Sequence, residues 1–226
     1  MKTVKFLFVL LFILSTPLQL FGRVTESAEN LLRIIHKVNR HWQENNSPQV
    51  RSFWDNAAYH TGNMEVYELT GNPPYLKYST DWAEYNHWKG AASDNKAEWK
   101  YGYGETPQYV LFGDWQCCFQ TYADLYGIRG DDRRIARARE VLEYQMGTDK
   151  NDYWWWADGL YMVMPVMTKL YRITKNPLYL EKLYEYFSYA DSVMYDPEAG
   201  LYYRDGSFVY PKHSILGGKK DFWARG

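Results

Sequence analysis

The feature that most constrains the fold is a unit that recurs three times between residues 54 and 180. In each copy an acid precedes a tyrosine by 12 or 13 residues, a loop follows, and a second apolar segment begins eight residues after the tyrosine. The acid and tyrosine pairs are Asp55 and Tyr67, Asp114 and Tyr126, and Asp158 and Tyr171. This spacing fits a helix of about three to four turns, a short turn and a second helix. The sequence therefore predicts an all-α fold of repeated helical hairpins.

The turns between the paired helices carry stop and start signals. In the segments TGNPP and TKNP, Gly or Asn is expected to end the first helix, and Pro to stand near the start of the second. Strand-like alternation is confined to the tail DPEAGLYYRDGSFVYP, residues 196–211, which could hold a small hairpin.

Repeated helical hairpins stack either as an open solenoid or as a closed double ring of helices. The sequence favours the ring, in which all inner helices run in one direction and their starts gather at one mouth. Asp55, Asp114 and Asp158 would then face one funnel. A fourth unit opens at the end, since FWARG superimposes on WWADG with Arg225 in the place of Asp158. The alternative is that these acids are ordinary helix N-caps, where Asp is common.

Composition narrows the class of ligand. Aromatic residues make up 19% of the chain, with 10 Trp and 22 Tyr, and such side chains line sites that stack on sugar rings. A Trp-rich helical core explains the same numbers equally well. The net charge of −1 gives no reason to expect a nucleic acid or an anionic membrane as partner. A chain of 226 residues with 46% hydrophobic content can bury one sizeable core.

Residues 1–22 have the pattern of a secretory signal peptide, with lysines before an apolar run and a polar, proline-containing exit. The apolar run is short for a membrane span. We therefore expect a periplasmic or secreted protein, with no membrane association after signal removal, and one domain over residues 23–226. Cys117 and Cys118 are adjacent, which disfavours a disulfide between them, so they are expected to be buried small apolar residues.

The stretch YWWWADGLYMVMPVM, residues 153–167, carries Asp158 directly after three tryptophans and one alanine. Desolvation by Trp154, Trp155 and Trp156 would raise the pKa of this acid, and a nearby Asp114 would raise it further. A helix N-terminus would lower it. Because desolvation can reach several pKa units, a buried pocket would favour the protonated acid. Asp158 is thus either a helix cap or a catalytic acid.

Three segments, WWADGLYM, GDWQCCFQTYADLY and GKKDFWARG, resemble the unsaturated glucuronyl and rhamnogalacturonyl hydrolases of glycoside hydrolase families 88 and 105. The resemblance runs from Trp54 to the last residue. It implies an (α/α)6 barrel and an enzyme that removes the 4,5-unsaturated uronic acid left by polysaccharide lyases. Family members continue beyond FWARG, so the chain, with about six or seven of the usual twelve helices, is expected to be the N-terminal part of the barrel and inactive alone.

The resemblance also implies roles for individual residues. Asp158 matches the proton donor, Trp156 an aromatic neighbour in the pocket, Asp114 a second pocket acid, and Arg225 the arginine near the substrate. Arg204 follows the segment GLYY, at the position where some family members carry a histidine.

The implied chemistry is protonation of C4 of a vinyl ether, followed by addition of water at C5. The substrate would be an unsaturated uronic-acid oligosaccharide of the pectin or rhamnogalacturonan type. The alternative is a non-catalytic sugar-binding or scaffold protein on the same helical ring, which would not need Asp158.

Two further residues, Tyr59 and His60, lie just after Asp55 and could hydrogen-bond a substrate, although a lone histidine is more often structural. The sequence has no His, Cys and Asp cluster with metal-ligand spacing and no Gly-rich phosphate loop. No metal and no cofactor is implied.

Overall fold

The computed structural model describes residues 27–223. The chain divides into two compact units, residues 1–47 and 48–226. The described part of the first unit contains helix α1, residues 27–45. The predicted signal peptide, residues 1–22, and Arg225 both lie outside the described residues.

The second unit consists mainly of helical hairpins with the predicted spacing. Its helices are α2 (Trp54–Thr70), α3 (Pro73–Tyr85), α4 (Gly113–Gln116), α5 (Cys118–Ile128), α6 (Arg133–Met146), α7 (Ala157–Thr174) and α8 (Leu178–Met194). A single 3₁₀ turn, Lys96–Glu98, interrupts the long segment between α3 and α4. Between α4 and α5 stands Cys117, whose backbone is itself helical at φ −53° and ψ −37°. The two short helices therefore act as one, matching the first helices of the other two repeats.

The hairpins form two layers. Helices α2, α5 and α7 pack side by side, while α3, α6 and α8 each pack against the inner helix that precedes them. This is the paired arrangement of an α/α barrel, which confirms the predicted all-α fold class. The short α4 packs against α7 and α2, so it joins the inner layer at the start of its repeat.

The turns confirm one predicted stop signal and correct another. Gly71 ends α2 in the left-handed region at φ 65°, and its N–H donates to the Tyr67 carbonyl at 2.7 Å. In the TKNP turn the same conformation is taken by Lys175, at φ 60°, rather than by the asparagine. Pro73 begins α3 and Pro177 precedes α8, as predicted.

The core between the layers is rich in aromatic side chains. Its largest fully buried members include Trp82, Trp154, Tyr122, Tyr153, Tyr179 and Phe119. Cys117 and Cys118 are buried free thiols, as predicted. The aromatic content therefore supplies core volume as well as any sugar-binding surface.

The predicted hairpin in the tail is present as β1 (Tyr195–Asp196) and β2 (Leu201–Tyr202), which pair antiparallel. Lys220 ties the later tail to this hairpin through ion pairs with Asp196 at 2.7 Å and Glu198 at 2.6 Å. Among residues 27–223, no helix has the length and apolarity needed to cross a membrane.

Candidate active site

The three predicted acids occupy the same position in three helices. Asp55, Asp114 and Asp158 are each the second residue of α2, α4 and α7. The N-cap positions are held instead by aromatic residues, Phe53, Phe112 and Trp156, which have extended backbones and make no side-chain cap hydrogen bond. The alternative that these acids are ordinary N-caps is therefore wrong.

The indole of Trp156 lies between the starts of α4 and α7. A Cβ placed on Gly113 would come within 2.9 Å of the Trp156 ring, and one placed on Gly159 within 3.2 Å. Gly113 directly precedes Asp114, and Gly159 directly follows Asp158. The two glycines allow one indole to fit closely against both helix starts. Trp156 thereby packs against the glycines next to both acids, and its role as an aromatic neighbour of the substrate stays a prediction.

Asp114 is buried, and its pKa is strongly shifted. It is 6% exposed, and its Oδ1 is buried without a hydrogen-bond partner among the described residues. Burial is the largest cause that raises its pKa, the negative charges of Asp158, Glu105 and Asp55 add to it, and together they bring the pKa to about 7. The repeat thus brings carboxylates from α2, α4 and α7 close enough to affect one titration.

Two opposing effects act on Asp114, and burial is the stronger. A helix N-terminus stabilises a carboxylate by about 0.3–1 kcal/mol at exposed sites. The raised pKa shows that desolvation and neighbouring negative charge outweigh that stabilisation for Asp114. Near neutral pH Asp114 is therefore partly protonated.

Asp158 is half-buried and faces a cavity of about 300 Å³. The other lining residues are Trp54, Ala58, Cys117, Tyr161 and Met162. Most of this wall is apolar, and Trp54 and Tyr161 remain 37% and 52% exposed. The Tyr161 hydroxyl lies 3.1 Å from Thr61 Oγ1, which links α7 to α2 across the cavity. Asp158 is thus a carboxyl group in an open hollow flanked by two aromatic rings.

The thiol of Cys117 also lines this cavity. Burial raises its pKa to about 12, and the charge of Asp114 contributes in the same direction. The protonated thiol is therefore a poor nucleophile, and it acts as a small apolar part of the wall.

Arg51 and Glu105 belong to the site but were missed in the sequence. Arg51 Nη1 donates to Glu105 at 2.6 Å, Nη2 donates to Asp55 at 3.4 Å, and the guanidinium lies 4.5 Å from the centroid of the Phe53 ring. Neither residue falls within a repeated helix, and 54 positions separate them. Periodicity could not have paired them. The nearness of Arg51 to Asp55, four residues on, was the only available signal.

Of the two further predicted contacts, His60 lies in an aromatic stack, whereas the role of Tyr59 stays a prediction. His60 is 2% exposed, stacks on Trp82 with centroids 3.9 Å apart, and shares a hydrogen bond of 3.0 Å with Ser79. Burial lowers its pKa to about 3, so it is neutral. Tyr59 lies half-buried, with its ring 5.8 Å from that of Tyr78. The placement of His60 matches the structural alternative rather than a substrate contact.

Arg204 reaches the site through its backbone. Its carbonyl accepts a hydrogen bond of 2.8 Å from the Ala157 N–H, and Asp205 forms a β-bridge with Trp156. The tail therefore supplies a partner for the first N–H of α7. The guanidinium pairs with Asp205 at 2.8 Å and lies 4.0 Å from the centroid of the Phe208 ring.

The three consecutive tryptophans have separate environments. Trp154 is buried against Tyr186 of α8, and the Trp155 indole N–H donates to the Tyr101 carbonyl at 3.2 Å. Trp154 therefore belongs to the core, and desolvation of Asp158 by the three indoles stays a prediction. Within residues 27–223 no group of three or more His, Cys, Asp or Glu side chains could hold a metal ion.

Comparison with known proteins identifies the family of this chain. The profile of Glycosyl Hydrolase Family 88 matches residues 28–226, which include both helix starts that flank Trp156. The chain belongs to glycosyl hydrolase family 88.

Two solved structures share the fold of this family 88 chain. A glycosyl hydrolase family 88 protein from Bacteroides vulgatus is 68% identical with a TM-score of 0.85, and the match covers 86% of this chain and 56% of that one. A structure named as a polysaccharide lyase is 71% identical, also with a TM-score of 0.85, over 87% of this chain and 56% of that one.

Two curated relatives carry the name unsaturated 3S-rhamnoglycuronyl hydrolase. The one from Formosa agariphila is 26% identical over 185 residues, covering 76% of this chain and 47% of the relative. The one from an Alteromonas species is 33% identical over 73 residues, covering 32% and 17%. The family 88 chain thus spans about half the length, or less, of the proteins that it matches.

Proposed function

We propose that this chain supplies the acid pair of a glycoside hydrolase that removes a 4,5-unsaturated uronic acid from the non-reducing end of lyase-generated oligosaccharides. The observation that carries the proposal is the pairing of Asp158, on the wall of an open cavity, with Asp114, whose pKa is raised to about 7. Membership of family 88 and the names of the relatives from Formosa agariphila and Alteromonas support this substrate class.

The reaction is hydration of the C4=C5 double bond. Asp158 transfers a proton to C4, and positive charge develops at C5 and the ring oxygen. Water then adds at C5 and returns a proton to the Asp158 carboxylate. The product is a hemiketal at C5, which opens by breaking the bond between C5 and the ring oxygen to give a ketone at C5 and a hemiacetal at C1. The hemiacetal then collapses to an aldehyde and releases the remaining sugar as an alcohol. Such an acid works best when its proton affinity lies near the working pH.

Asp114 would set the pH range over which this transfer operates. Two carboxyl groups that interact strongly titrate as a pair. With the pKa of Asp114 at about 7, the pair carries a proton in neutral solution, and it loses that proton at higher pH. A second negative charge beside the cavity would also repel the uronate carboxylate.

Two other kinds of contact with the substrate are proposed: aromatic rings for the sugar faces and a guanidinium for the uronate carboxylate. Trp54 and Tyr161 present exposed rings in the cavity that Asp158 lines, which suits stacking on sugar faces. Arg225 is proposed to bind the uronate carboxylate, since its planar guanidinium fits that group. The oligosaccharide would be of the pectin or rhamnogalacturonan type.

Export to the periplasm or the exterior is proposed from residues 1–22, and it suits an enzyme that meets lyase products outside the cytoplasm. A non-catalytic sugar-binding protein on this fold remains the second candidate. Such a protein would use the aromatic rings of the cavity but would have no use for a coupled Asp114 and Asp158.

Replacement of Asp158 separates the two candidates. Residues 28–226 would replace the matching part of the Bacteroides vulgatus relative, and loss of C4=C5 absorbance would be followed on an unsaturated disaccharide. We expect Asp158→Asn to lower turnover by about 10²–10⁴-fold while substrate binding persists. Asp149→Asn, at an exposed loop acid, is the control and should retain activity. Equal rates in the two variants would reject the catalytic role of Asp158.

A further inference from the structure

Three charged side chains, Arg51, Asp55 and Glu105, form a group near the cavity that we call the rim. Arg51 forms ion pairs with both Glu105 and Asp55, and all three side chains are 44–46% exposed. Two carboxylates and one guanidinium leave this group with a net charge of −1. The guanidinium holds the pKa of Glu105 below its usual range, so Glu105 is ionised in neutral solution.

The group is close to the acid pair and to the cavity. The charges of both Glu105 and Asp55 act on Asp114, which places them near the starts of α4 and α7. Asp55 also follows Trp54, which lines the cavity beside Asp158. A sugar that extends outward from the cavity would therefore pass this rim.

The loop that carries Glu105 is held in place by packing. The Trp115 indole N–H donates to the Gly104 carbonyl at 3.2 Å, and a Cβ on Gly104 would overlap the Tyr109 ring at 2.2 Å. Tyr103 lies edge-on to Phe112, with centroids 5.8 Å apart. Glu105 is thus presented by a fixed loop, and its charge cannot easily move away from an incoming ligand.

We propose that Glu105 and Arg51 determine specificity for the sugar next to the unsaturated uronate, and that they select a sugar without an anionic substituent. This inference rests on the proposed function. Arg51 is already shared between two carboxylates, so it is a weak partner for a sulfate or a further carboxylate. Sugar hydroxyls can donate hydrogen bonds to Glu105 and Asp55, whereas an anionic substituent would be repelled by them.

The test compares two disaccharides that differ only in the second sugar. One is a 4,5-unsaturated uronate linked to rhamnose, and the other carries a sulfate on that rhamnose. Affinities would be measured by calorimetry on the Bacteroides vulgatus chimera carrying Asp158→Asn, so that no substrate is consumed. We expect the unsulfated compound to bind about fivefold more tightly at low salt, with the ratio approaching one at high salt because exposed charges are screened.

Two variants should shift this ratio in opposite directions. Glu105→Gln brings the net charge of the rim to zero and should reduce the preference for the unsulfated disaccharide. Arg51→Gln brings the net charge of the rim to −2 and should increase that preference. Glu98→Gln, at an exposed acid in the same segment, is the matched control and should leave the ratio unchanged. Thermal unfolding of each variant shows whether it is folded. If Arg51→Gln does not fold, Glu105→Gln alone tests the proposal.

The outcomes distinguish this inference from the proposed function. Equal affinity for the two compounds, a preference for the sulfated one, or a ratio that Glu105→Gln does not change would overturn the role of the rim. Binding of neither compound would instead reject the proposed substrate class, and the rim proposal with it.

Discussion

Asp114 is held in an environment that opposes its ionisation. Its Oδ1 is buried without a partner among the described residues, and three neighbouring carboxylates face it from α2, α7 and the loop before α4. The raised pKa makes the stability of the folded chain depend on pH. Because the pKa of Asp114 is about 7 in the folded chain and about 4 when unfolded, folding favours its protonated form. That contribution is complete below about pH 4 and is lost as the pH rises through 7.

Asp114→Asn should therefore stabilise the chain in alkaline solution. At pH 8 the wild-type chain must accommodate a buried charge that the variant lacks, so we expect a gain of about 1–2 kcal/mol after partial screening by solvent. At pH 5 most of that gain should disappear. Urea unfolding of both proteins at the two pH values measures the difference. A gain that is the same at pH 5 and pH 8 would show that ionisation of Asp114 does not cause it.

At the scale of elements, the acids are positioned by aromatic residues at the helix starts. Phe53, Phe112 and Trp156 occupy the three N-cap positions, and Phe112 lies 4.8 Å from Trp156 between ring centroids. Gly113 makes room for the Trp156 indole, since any larger residue would press on it. The geometry of the acid pair thus depends on a close contact between α4 and α7.

Gly113→Ala is expected to destabilise the fold through that contact. Its Cβ would lie 2.9 Å from the Trp156 ring and 3.2 Å from Val163, and such overpacking costs about 1–3 kcal/mol. Chemical denaturation measures the loss. The matched control is Gly62→Ala inside α2, where nothing lies within 4 Å of the new Cβ, so the better helix propensity of alanine should slightly stabilise the protein. Equal stability of the two variants would show that the Trp156 ring does not pack closely against Gly113.

The elements were largely predictable from the sequence, whereas the site was predictable only in part. The three acids recur with the helical repeat, so Asp55, Asp114 and Asp158 could be placed at helix starts before the structure was known. Glu105 and Arg51 meet through tertiary contact between irregular segments, which no periodic pattern encodes. The burial of His60 was likewise hidden, because its partners Trp82 and Ser79 lie on the next helix.

At the scale of the whole molecule, the inner layer is built around α5. This helix packs against α2, α3, α6 and α7, and its residues include the fully buried Phe119, Tyr122 and Leu125. The tail turn at residues 215–218 lies at the surface, where Leu216 is 99% exposed.

Hydrogen exchange should reflect that contrast. Amides of α5 are expected to exchange slowest, through opening of the whole second unit, whereas those of residues 215–218 should exchange fastest among the described segments of that unit. Mass spectrometry of peptic fragments provides the measurement. Protection of the tail turn equal to that of α5 would contradict this distribution of stability.

The central claim is that Asp114 and Asp158 act as one coupled acid pair in the hydration of an unsaturated uronide. The most direct test is the pH dependence of kcat/KM, measured in the Bacteroides vulgatus chimera with and without Asp114→Asn. We expect the wild-type rate to fall on the alkaline side near pH 7, and we expect this limb to be displaced or lost in the variant, since only one carboxyl then titrates. An alkaline limb that is unchanged by Asp114→Asn would contradict the coupling.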